Sequence, residues 1–197
     1  IKIPFVESVY HPLIYNNTYT FNMDLFWKYK NVYQIGSFLR HINGIIDIQI
    51  PHEFKKYITP YSQGNINILK SLGYNENKLK EKNITFKSNS QEDYNKLFEN
   101  SIIFLNLINA TANNVVLECI HSNTPIIINR LPATTEYLGE DYPLFYDDYD
   151  HVASLLTYEN ILNAHNYLKK MNKQHLSLHS FVKKIYNTFK NNNIIQT

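Results

Sequence analysis

The stretch that decides the fold is IIFLNLINATANNVVLECIHSNTPIIINRLPATTEYLGEDYPLFY, residues 102–146. It opens with an apolar run, passes through the small polar turn NATANN, continues as VVLECIHSN and reaches a second apolar run, IIIN, after Thr124-Pro125. Apolar runs that alternate with helical segments are typical of parallel sheets. The stretch therefore predicts strands at residues 102–109, 125–129 and 144–146, with a helix at residues 113–122.

The same alternation extends in both directions along the chain. Upstream, apolar runs predict strands at residues 31–36, 45–50 and 84–87, and helices at residues 63–72 and 90–100. Gly73 and Ser90 are typical of a helix C-terminus and an N-cap respectively. Downstream, helices are predicted from residue 147 to 156 and over residues 176–189. The fold class is α/β: a Rossmann-like, doubly wound parallel sheet flanked by helices, with further helices at the C-terminus.

Three parts of the chain follow from this pattern. Residues 1–30 are predicted to be an extended or linker segment, and residues 31–156 to form a Rossmann-like domain. Residues 157–197 are predicted to be helices that pack on that domain. The chain starts at Ile1 without a methionine, which favours a domain excised from a longer protein.

Composition limits the class of protein. Hydrophobic residues make up 44% of the 197 residues and charged residues 18%, which is typical of a globular domain. The net charge of +2 is spread along the chain, so a nucleic-acid partner is not expected. The single cysteine, Cys119, predicts a buried small hydrophobe in a reducing compartment. No signal peptide or long apolar run appears, so no membrane span and a cytoplasmic location are expected.

Polar residues follow several strands at the sheet edge where ligands of parallel sheets bind. Arg40 comes shortly after the first strand and its guanidinium suits a diphosphate, which it binds with two parallel hydrogen bonds. A fourth loop, residues 129–132, is a further candidate. The candidate nucleotide-binding residues are Gly36, Ser37, Arg40, Lys87, Asn109, Thr111, Asn113, Asn114 and Glu118, with Arg40 also the candidate catalytic residue.

The helix predicted at residues 113–122 begins in an Asn-rich turn. Free backbone N–H groups and the positive end of the helix dipole make such a helix start an anion site. Glu118 lies four residues after Asn114, on the same face of the helix. A phosphate site with a hydrogen-bonding acid one turn below it suits a sugar nucleotide.

Other interpretations of these residues stay open. Arg40 alone is also typical of a surface ion pair, Glu118 of a solvated helix position, and Asn113 of a simple N-cap. The chain contains no G-x-G-x-x-G and no G-x-x-x-x-G-K-[ST], which argues against a dinucleotide site and excludes a P-loop. His175 and His179 lack an acidic or cysteine partner nearby, so no metal and no other cofactor are expected.

Residues 112–139, ANNVVLECIHSNTPIIINRLPATTEYLG, resemble the donor-binding half of GT-B glycosyltransferases of family 4. Leu117-Glu118-Cys119 matches that family's L-E-A, Asn123-Thr124-Pro125 its G-T-P, and Glu136 its later glutamate. VYQIGSFLR, residues 32–40, looks like the family's opening strand and phosphate loop. Together the blocks resemble a divergent bacterial and viral subgroup. The family's first glutamate falls at Ala110, and its Gly-rich turn is replaced by residues 111–114.

The resemblance implies a glycosyltransferase domain of glycan biosynthesis that binds a nucleoside diphosphate sugar and transfers the sugar to a glycan or another acceptor. In that family a second Rossmann-like domain holds the acceptor, and residues 1–30 are too few to supply it. An N-terminal acceptor domain is therefore an expected partner outside this chain. The alternative is a nucleotide-binding or interaction module without turnover, within a larger glycan-assembly protein.

Overall fold

The computed structural model describes Pro12 and residues 19–109 and 113–191. The chain divides into two compact units. The larger unit is Asn17–Lys170, and the smaller combines Ile1–Asn16 with Met171–Thr197. The domain bounds expected from the sequence, residues 1–30, 31–156 and 157–197, differ from this division and stay a prediction.

The larger unit alternates strands and helices. Its strands are β1 (Asn31–Ile35), β2 (Lys55–Thr59), β3 (Ile84–Phe86), β4 (Ser101–Leu105), β5 (Ile126–Asn129) and β6 (Phe145–Tyr146). Its helices are α1 (Met23–Tyr29), α2 (Gly44–Asp47), α3 (Gln63–Ser71), α4 (Glu76–Glu81), α5 (Gln91–Asn100), α6 (Asn114–Ser122), α7 (Pro132–Leu138), α8 (Tyr149–Leu155) and α9 (Tyr158–Lys170).

The six strands form one sheet in the order β3-β2-β1-β4-β5-β6. Each neighbouring pair runs parallel, with Asn31 opposite Lys55 on one side of β1 and opposite Ser101 on the other. This confirms the predicted Rossmann-like parallel sheet flanked by helices. β4 is buried along its whole length and β5 nearly so, as expected for strands covered on both faces.

Several helix ends follow from local sequence. Ser90 and Asn113 are N-caps whose side chains accept from backbone N–H groups of Asp93 and Val116. Gly73, just past α3, has φ +83°, a conformation that favours glycine. These residues explain why α3, α5 and α6 match their predicted ranges to within about two residues at each end.

The predicted strand at residues 45–50 is wrong. Gly44–Asp47 forms the short helix α2 instead, and Ile45, Ile46 and Ile48 are all fully buried. The alternation in IIDIQI suggested a strand because apolar and polar residues take turns there. Three isoleucines within four residues also suit a single helical turn packed on the sheet, and tertiary packing decides between the two.

Four further elements were not expected. The structure has strand β2 and helix α4 within the polar stretch 52–82, and helix α1 within residues 1–30. Helix α7 replaces a predicted loop, with Pro132 at its first position. The predicted strand at residues 102–109 is shorter than expected and ends at Leu105; beyond it, Leu107 forms an isolated antiparallel bridge with Arg40 in the loop after β1.

The smaller unit contains a 3₁₀ turn (Gln174–Leu176) and helix α10 (Leu178–Asn191). Helix α10 has no buried residue, and its exposed large apolar side chains are Leu178, Val182, Tyr186 and Phe189. Among the described helices of both units, none combines the length and the apolar character needed to cross a membrane.

Candidate functional site

The order of the strands places a candidate site between β1 and β4. Strands β2 and β3 follow β1 in the sequence and lie on one side of it in the sheet. The later strands β4, β5 and β6 lie on its other side. Loops that leave neighbouring strands in opposite directions at such a switch point open a crevice, where ligands of parallel sheets bind. The two segments here are residues 36–43, after β1, and the segment after β4, of which residues 106–109 and Asn113 are described.

Backbone hydrogen bonds hold these two loops together. Ile108 N donates to Leu39 O at 2.9 Å, and His41 N donates to Asn106 O at 2.8 Å. Asn129, the last residue of β5, secures the second loop: its Oδ1 accepts from Leu107 N at 2.7 Å, and its Nδ2 donates to Leu107 O at 2.9 Å. The start of the crevice is therefore fixed by main-chain hydrogen bonds between the two loops and by the side chain of Asn129.

Arg40 lies at the centre of this arrangement. Its Nη2 donates to Asn113 Oδ1 at 3.1 Å, which connects the loop after β1 to the start of α6. Its Nε is buried and has no hydrogen-bond partner in the part of the chain that the structure describes. Burial lowers the pKa of Arg40, while the nearby Tyr94 and Glu118 act in the opposite direction. The guanidinium stays charged at neutral pH and retains donor capacity.

Gly36 makes room for this guanidinium. A Cβ added at Gly36 would come within 2.6 Å of Arg40 Nη1, closer than side-chain contacts allow. The φ of Gly36 is +69°, and Leu39 in the same loop has φ +54°. Left-handed backbone at a residue other than glycine is unfavourable, so the surrounding contacts must hold the loop after β1 in shape.

A pocket of about 380 Å³ opens beside Arg40. Residues after β1, β2 and β4 and in the first turns of α3 and α6 line it: Gly36, Ser37, Phe38, Leu39, Arg40, Pro60, Ser62, Asn65, Asn109, Asn113 and Asn114. Six of the nine residues singled out in the sequence meet here, namely Gly36, Ser37, Arg40, Asn109, Asn113 and Asn114. The pocket therefore joins the loop after β1 to the start of α6.

The first turns of two helices border the pocket. Asn113 caps α6, and its Oδ1 also accepts from Val116 N at 3.4 Å. Ser62 caps α3 by accepting from Asn65 N at 3.1 Å, and Asn65 Nδ2 donates to Pro60 O at 2.9 Å. Helix N-termini attract anions through free N–H groups and the helix dipole. With Arg40 between them, they make the pocket suited to a polyanion.

The sequence does not predict that residues 60–65 contribute to the pocket, because it does not predict the strand β2 that precedes them. The segment KKYIT, residues 55–59, alternates in burial and sits in a polar stretch, so it does not resemble a buried parallel strand. Its signals were the proline that follows it and Ser62 before a helical run. Phe38, which is 83% exposed at the pocket, was also not singled out.

Glu118 lies one turn into α6, near Arg40 but outside the pocket lining. Its Oε2 accepts a hydrogen bond from the hydroxyl of Tyr94, on α5, at 2.7 Å. Burial raises the pKa of Glu118, and the Tyr94 hydrogen bond and the charge of Arg40 both lower it. The carboxylate is therefore held by a partner on another helix and shares an electrostatic environment with the pocket's cation.

The remaining candidates lie elsewhere. Lys87 Nζ sits 4.7 Å from the ring centroid of Tyr57 and is not among the residues that line the pocket. Thr111 lies outside the described residues. Arg130, in the fourth candidate loop, borders a separate open depression of about 580 Å³. Its guanidinium is 3.2 Å from Glu140 Oε2 and 4.5 Å from the ring centroid of Phe145. Within residues 19–109 and 113–191, no three His, Cys, Asp or Glu side chains form a metal-binding cluster.

No protein-family model matches the chain, and no curated protein matches it by sequence. Solved structures do match. HepE (Alr3699) from Anabaena, in complex with UDP and glucose, superposes with a TM-score of 0.63 at 10% identity, covering 87% of this chain and 55% of that one. The pneumococcal O-GlcNAc transferase GtfA, in complex with UDP and GlcNAc, superposes with a TM-score of 0.61 at 13% identity, covering 93% of this chain and 38% of that one.

A third match is a UDP-forming α,α-trehalose-phosphate synthase from Burkholderia xenovorans. Its TM-score is 0.60 at 12% identity, covering 85% of this chain and 46% of that one. At this identity the likeness concerns the fold alone, and this chain spans about half the length of these solved chains or less. The three are GT-B glycosyltransferases, and the larger unit of this chain has a GT-B-like, Rossmann-like fold.

Proposed function

We propose that this chain is the donor-binding domain of a GT-B glycosyltransferase and that its pocket binds a nucleoside diphosphate sugar. One observation carries the proposal: Arg40 and the first turns of α3 and α6 converge on one pocket at the switch point of the sheet. A diphosphate is a compact polyanion, and these groups are donors with positive potential. The GT-B-like fold of the larger unit supports the same conclusion.

Each group has a specific part in the proposal. Arg40 contacts diphosphate oxygens through donors that Asn113 does not occupy. Backbone N–H groups at the start of α6, around Asn114, face a second phosphate oxygen, and Asn113 holds Arg40 in position. Glu118, one turn below, accepts hydrogen bonds from the ribose hydroxyls.

The chemistry follows from the same placement. When a sugar leaves its donor, the bond between the anomeric carbon and the phosphate oxygen breaks, and the nucleoside diphosphate takes the electron pair. Negative charge therefore grows on the terminal phosphate. Preorganised donors at that position stabilise the transition state. Arg40 and the helix ends supply the positive potential, so the proposal requires no metal ion.

The test is isothermal titration calorimetry with a panel of nucleoside diphosphates and the matching nucleosides. UDP is the first probe, because HepE and GtfA were each solved in complex with UDP. Arg40→Lys replaces a planar fork with a point charge and loses the contact to Asn113. Hydrogen bonds to charged groups contribute about 1.5–3 kcal/mol. We therefore expect at least about tenfold weaker binding of the diphosphate and unchanged binding of the nucleoside.

Arg130→Lys is the matched control, since Arg40 and Arg130 are the two arginines of the sequence. Arg130 does not line the pocket, so its replacement should leave UDP binding as in the wild type. Equal losses for diphosphate and nucleoside in Arg40→Lys would indicate a folding defect and remove Arg40 from the site. Failure of the wild-type chain to bind any nucleoside diphosphate would refute the proposal.

A second candidate function is a nucleotide-binding module without turnover in a larger glycan-assembly protein. The observation that favours it is that none of the described residues lining the pocket is an aspartate, a glutamate or a histidine, so none of them can act as a general base there. Nucleotide binding is common to both candidates. Transfer of sugar by the full-length parent protein, with loss of transfer in Arg40→Lys, would favour the enzyme over the module.

A further inference from the structure

Tyr94 connects two helices at the edge of the candidate site. It lies on α5, and its hydroxyl donates to Glu118 Oε2 on α6 at 2.7 Å. The ring of Tyr94 packs edge-on against Phe98, with centroids 5.4 Å apart, and Phe98 is 2% exposed. A buried neighbour of this kind restricts the tyrosine ring, so the hydroxyl is held in place rather than free to turn to solvent.

This hydrogen bond leaves the two carboxylate oxygens of Glu118 unequal. Oε2 is engaged by Tyr94, whereas Oε1 accepts no hydrogen bond from another residue within the described ranges. A carboxylate with both oxygens free can rotate about its last torsion, which is broad in glutamate. Holding one oxygen fixes the plane of the carboxylate and therefore the direction in which the other accepts.

We infer that Tyr94 is a positioning residue of the donor site: it orients the Glu118 carboxylate so that Oε1 alone faces the ribose hydroxyls of the nucleotide. The inference rests on the proposed function, since it assigns Glu118 to the ribose. Tyr94 itself touches neither the sugar nor the phosphates. Its contribution is preorganisation, which reduces the ordering that binding would otherwise require.

The charge of Glu118 depends on the same contact. The groups that face it are the Tyr94 hydroxyl from α5 and the Arg40 guanidinium from the loop after β1, with the buried Cys119 thiol next to it on α6. Burial raises the pKa of Glu118. The hydrogen bond from Tyr94 lowers this pKa more than the charge of Arg40 does. Removing the hydroxyl takes away that support, so the carboxyl group of the variant should take up a proton at higher pH.

The test compares Tyr94→Phe with the wild type by calorimetry, using UDP and 2′-deoxy-UDP across a pH series. Phenylalanine keeps the ring packed on Phe98 and removes only the donor. Loss of a typical hydrogen bond, about 1 kcal/mol, corresponds to roughly fivefold weaker UDP binding. We expect this loss to be smaller for 2′-deoxy-UDP, which lacks one ribose hydroxyl. We also expect the pH below which UDP binding falls to be higher in the variant than in the wild type.

Tyr74→Phe is the matched control. Tyr74 also donates its hydroxyl to a carboxylate, that of Asp47, and neither residue lines the pocket. The control should bind UDP as the wild type does, with the same pH profile. In a Glu118→Ala background, Tyr94→Phe should add no further loss, because a positioning residue has no effect once the group that it positions is gone.

The outcomes distinguish the inference about Tyr94 from the proposed function. If the wild type binds no nucleoside diphosphate, the proposed function fails. If the wild type binds and Tyr94→Phe matches it in affinity and pH profile, the inference about Tyr94 is overturned and the proposed function stands. An equal loss for UDP and 2′-deoxy-UDP without a pH shift also overturns it, since that result indicates a structural role only. Should Tyr94→Phe not fold, Glu118→Gln replaces it: persistence of the wild-type pH profile there would overturn the inference.

Discussion

Gly36→Ala offers a sharp test of how the loop after β1 positions Arg40. The new Cβ would lie 2.6 Å from Arg40 Nη1, whereas ordinary van der Waals contact begins near 3.4 Å. The guanidinium must therefore move by about 0.8 Å, the difference between those distances. Its Nη2 is 3.1 Å from Asn113 Oδ1, close to the upper end of hydrogen-bond lengths, so a shift of this size away from Asn113 breaks that bond.

Two effects of this substitution are separable. The positive φ of residue 36 makes alanine less stable there, by about 1 kcal/mol in the free energy of unfolding. The displaced guanidinium loses its alignment with the diphosphate, which we expect to weaken UDP binding by about tenfold or more. Urea unfolding measures the first effect and calorimetry with UDP and uridine measures the second. Uridine should bind the variant as it binds the wild type.

Gly73→Ala isolates the backbone effect. Gly73 also has a positive φ, +83°, but an added Cβ would meet nothing within 4 Å, and the residue lies outside the pocket. It should lose a similar amount of stability and no UDP affinity. Wild-type UDP affinity in Gly36→Ala would refute the reasoning that the space above Gly36 is reserved for Arg40. Equal UDP losses in both variants would trace the effect to general destabilisation.

Two further predictions concern stability and turnover. Lys56 is buried, its Nζ donates to the carbonyls of Ile46 and Ile48, and burial lowers its pKa from 10.5 to about 8. Lys56 of the unfolded chain keeps its proton to higher pH than Lys56 of the folded chain. The free energy of unfolding should therefore rise between about pH 8 and pH 10.5, by on the order of 2 kcal/mol relative to Lys56→Met. A difference in unfolding free energy between the wild type and Lys56→Met that does not change with pH would contradict this prediction. The isolated chain should bind UDP yet transfer sugar far more slowly than about 1 s⁻¹, an ordinary enzyme rate, and robust transfer in an acceptor panel would show that the active site is complete within it.

The parts of the fold that the sequence predicts are those where local signals and tertiary packing agree. In residues 102–146, buried strands, an N-cap at Asn113 and a left-handed residue at Asn123 occur in the order that is typical of a β–α–β unit. The segment at residues 45–50 shows the opposite case. Its alternation suits a strand, but burial of Ile45, Ile46 and Ile48 against the sheet favours a helical turn.

The site divides in the same way. The six pocket residues found in the sequence lie after β1, after β4 or at the start of α6, positions that local patterns identify as strand ends and a helix start. Ser62 and Asn65 reach the pocket because β2 pairs with β1, a fact of the sheet rather than of the local sequence. The contact of Tyr94 with Glu118 joins residues 24 positions apart on two helices, so no spacing in the sequence could indicate it.

The position of the pocket between β1 and β4 also bears on how the chain folds. Asn31 pairs with Ser101, so these neighbours in the sheet come together only after a long segment of chain has closed on itself. Such closure is entropically unfavourable and tends to be slow. The loops that carry Arg40 and Asn113 leave these two strands, so we expect the pocket to be assembled late in folding. A nucleotide that binds it should therefore slow unfolding while leaving the rate of refolding nearly unchanged.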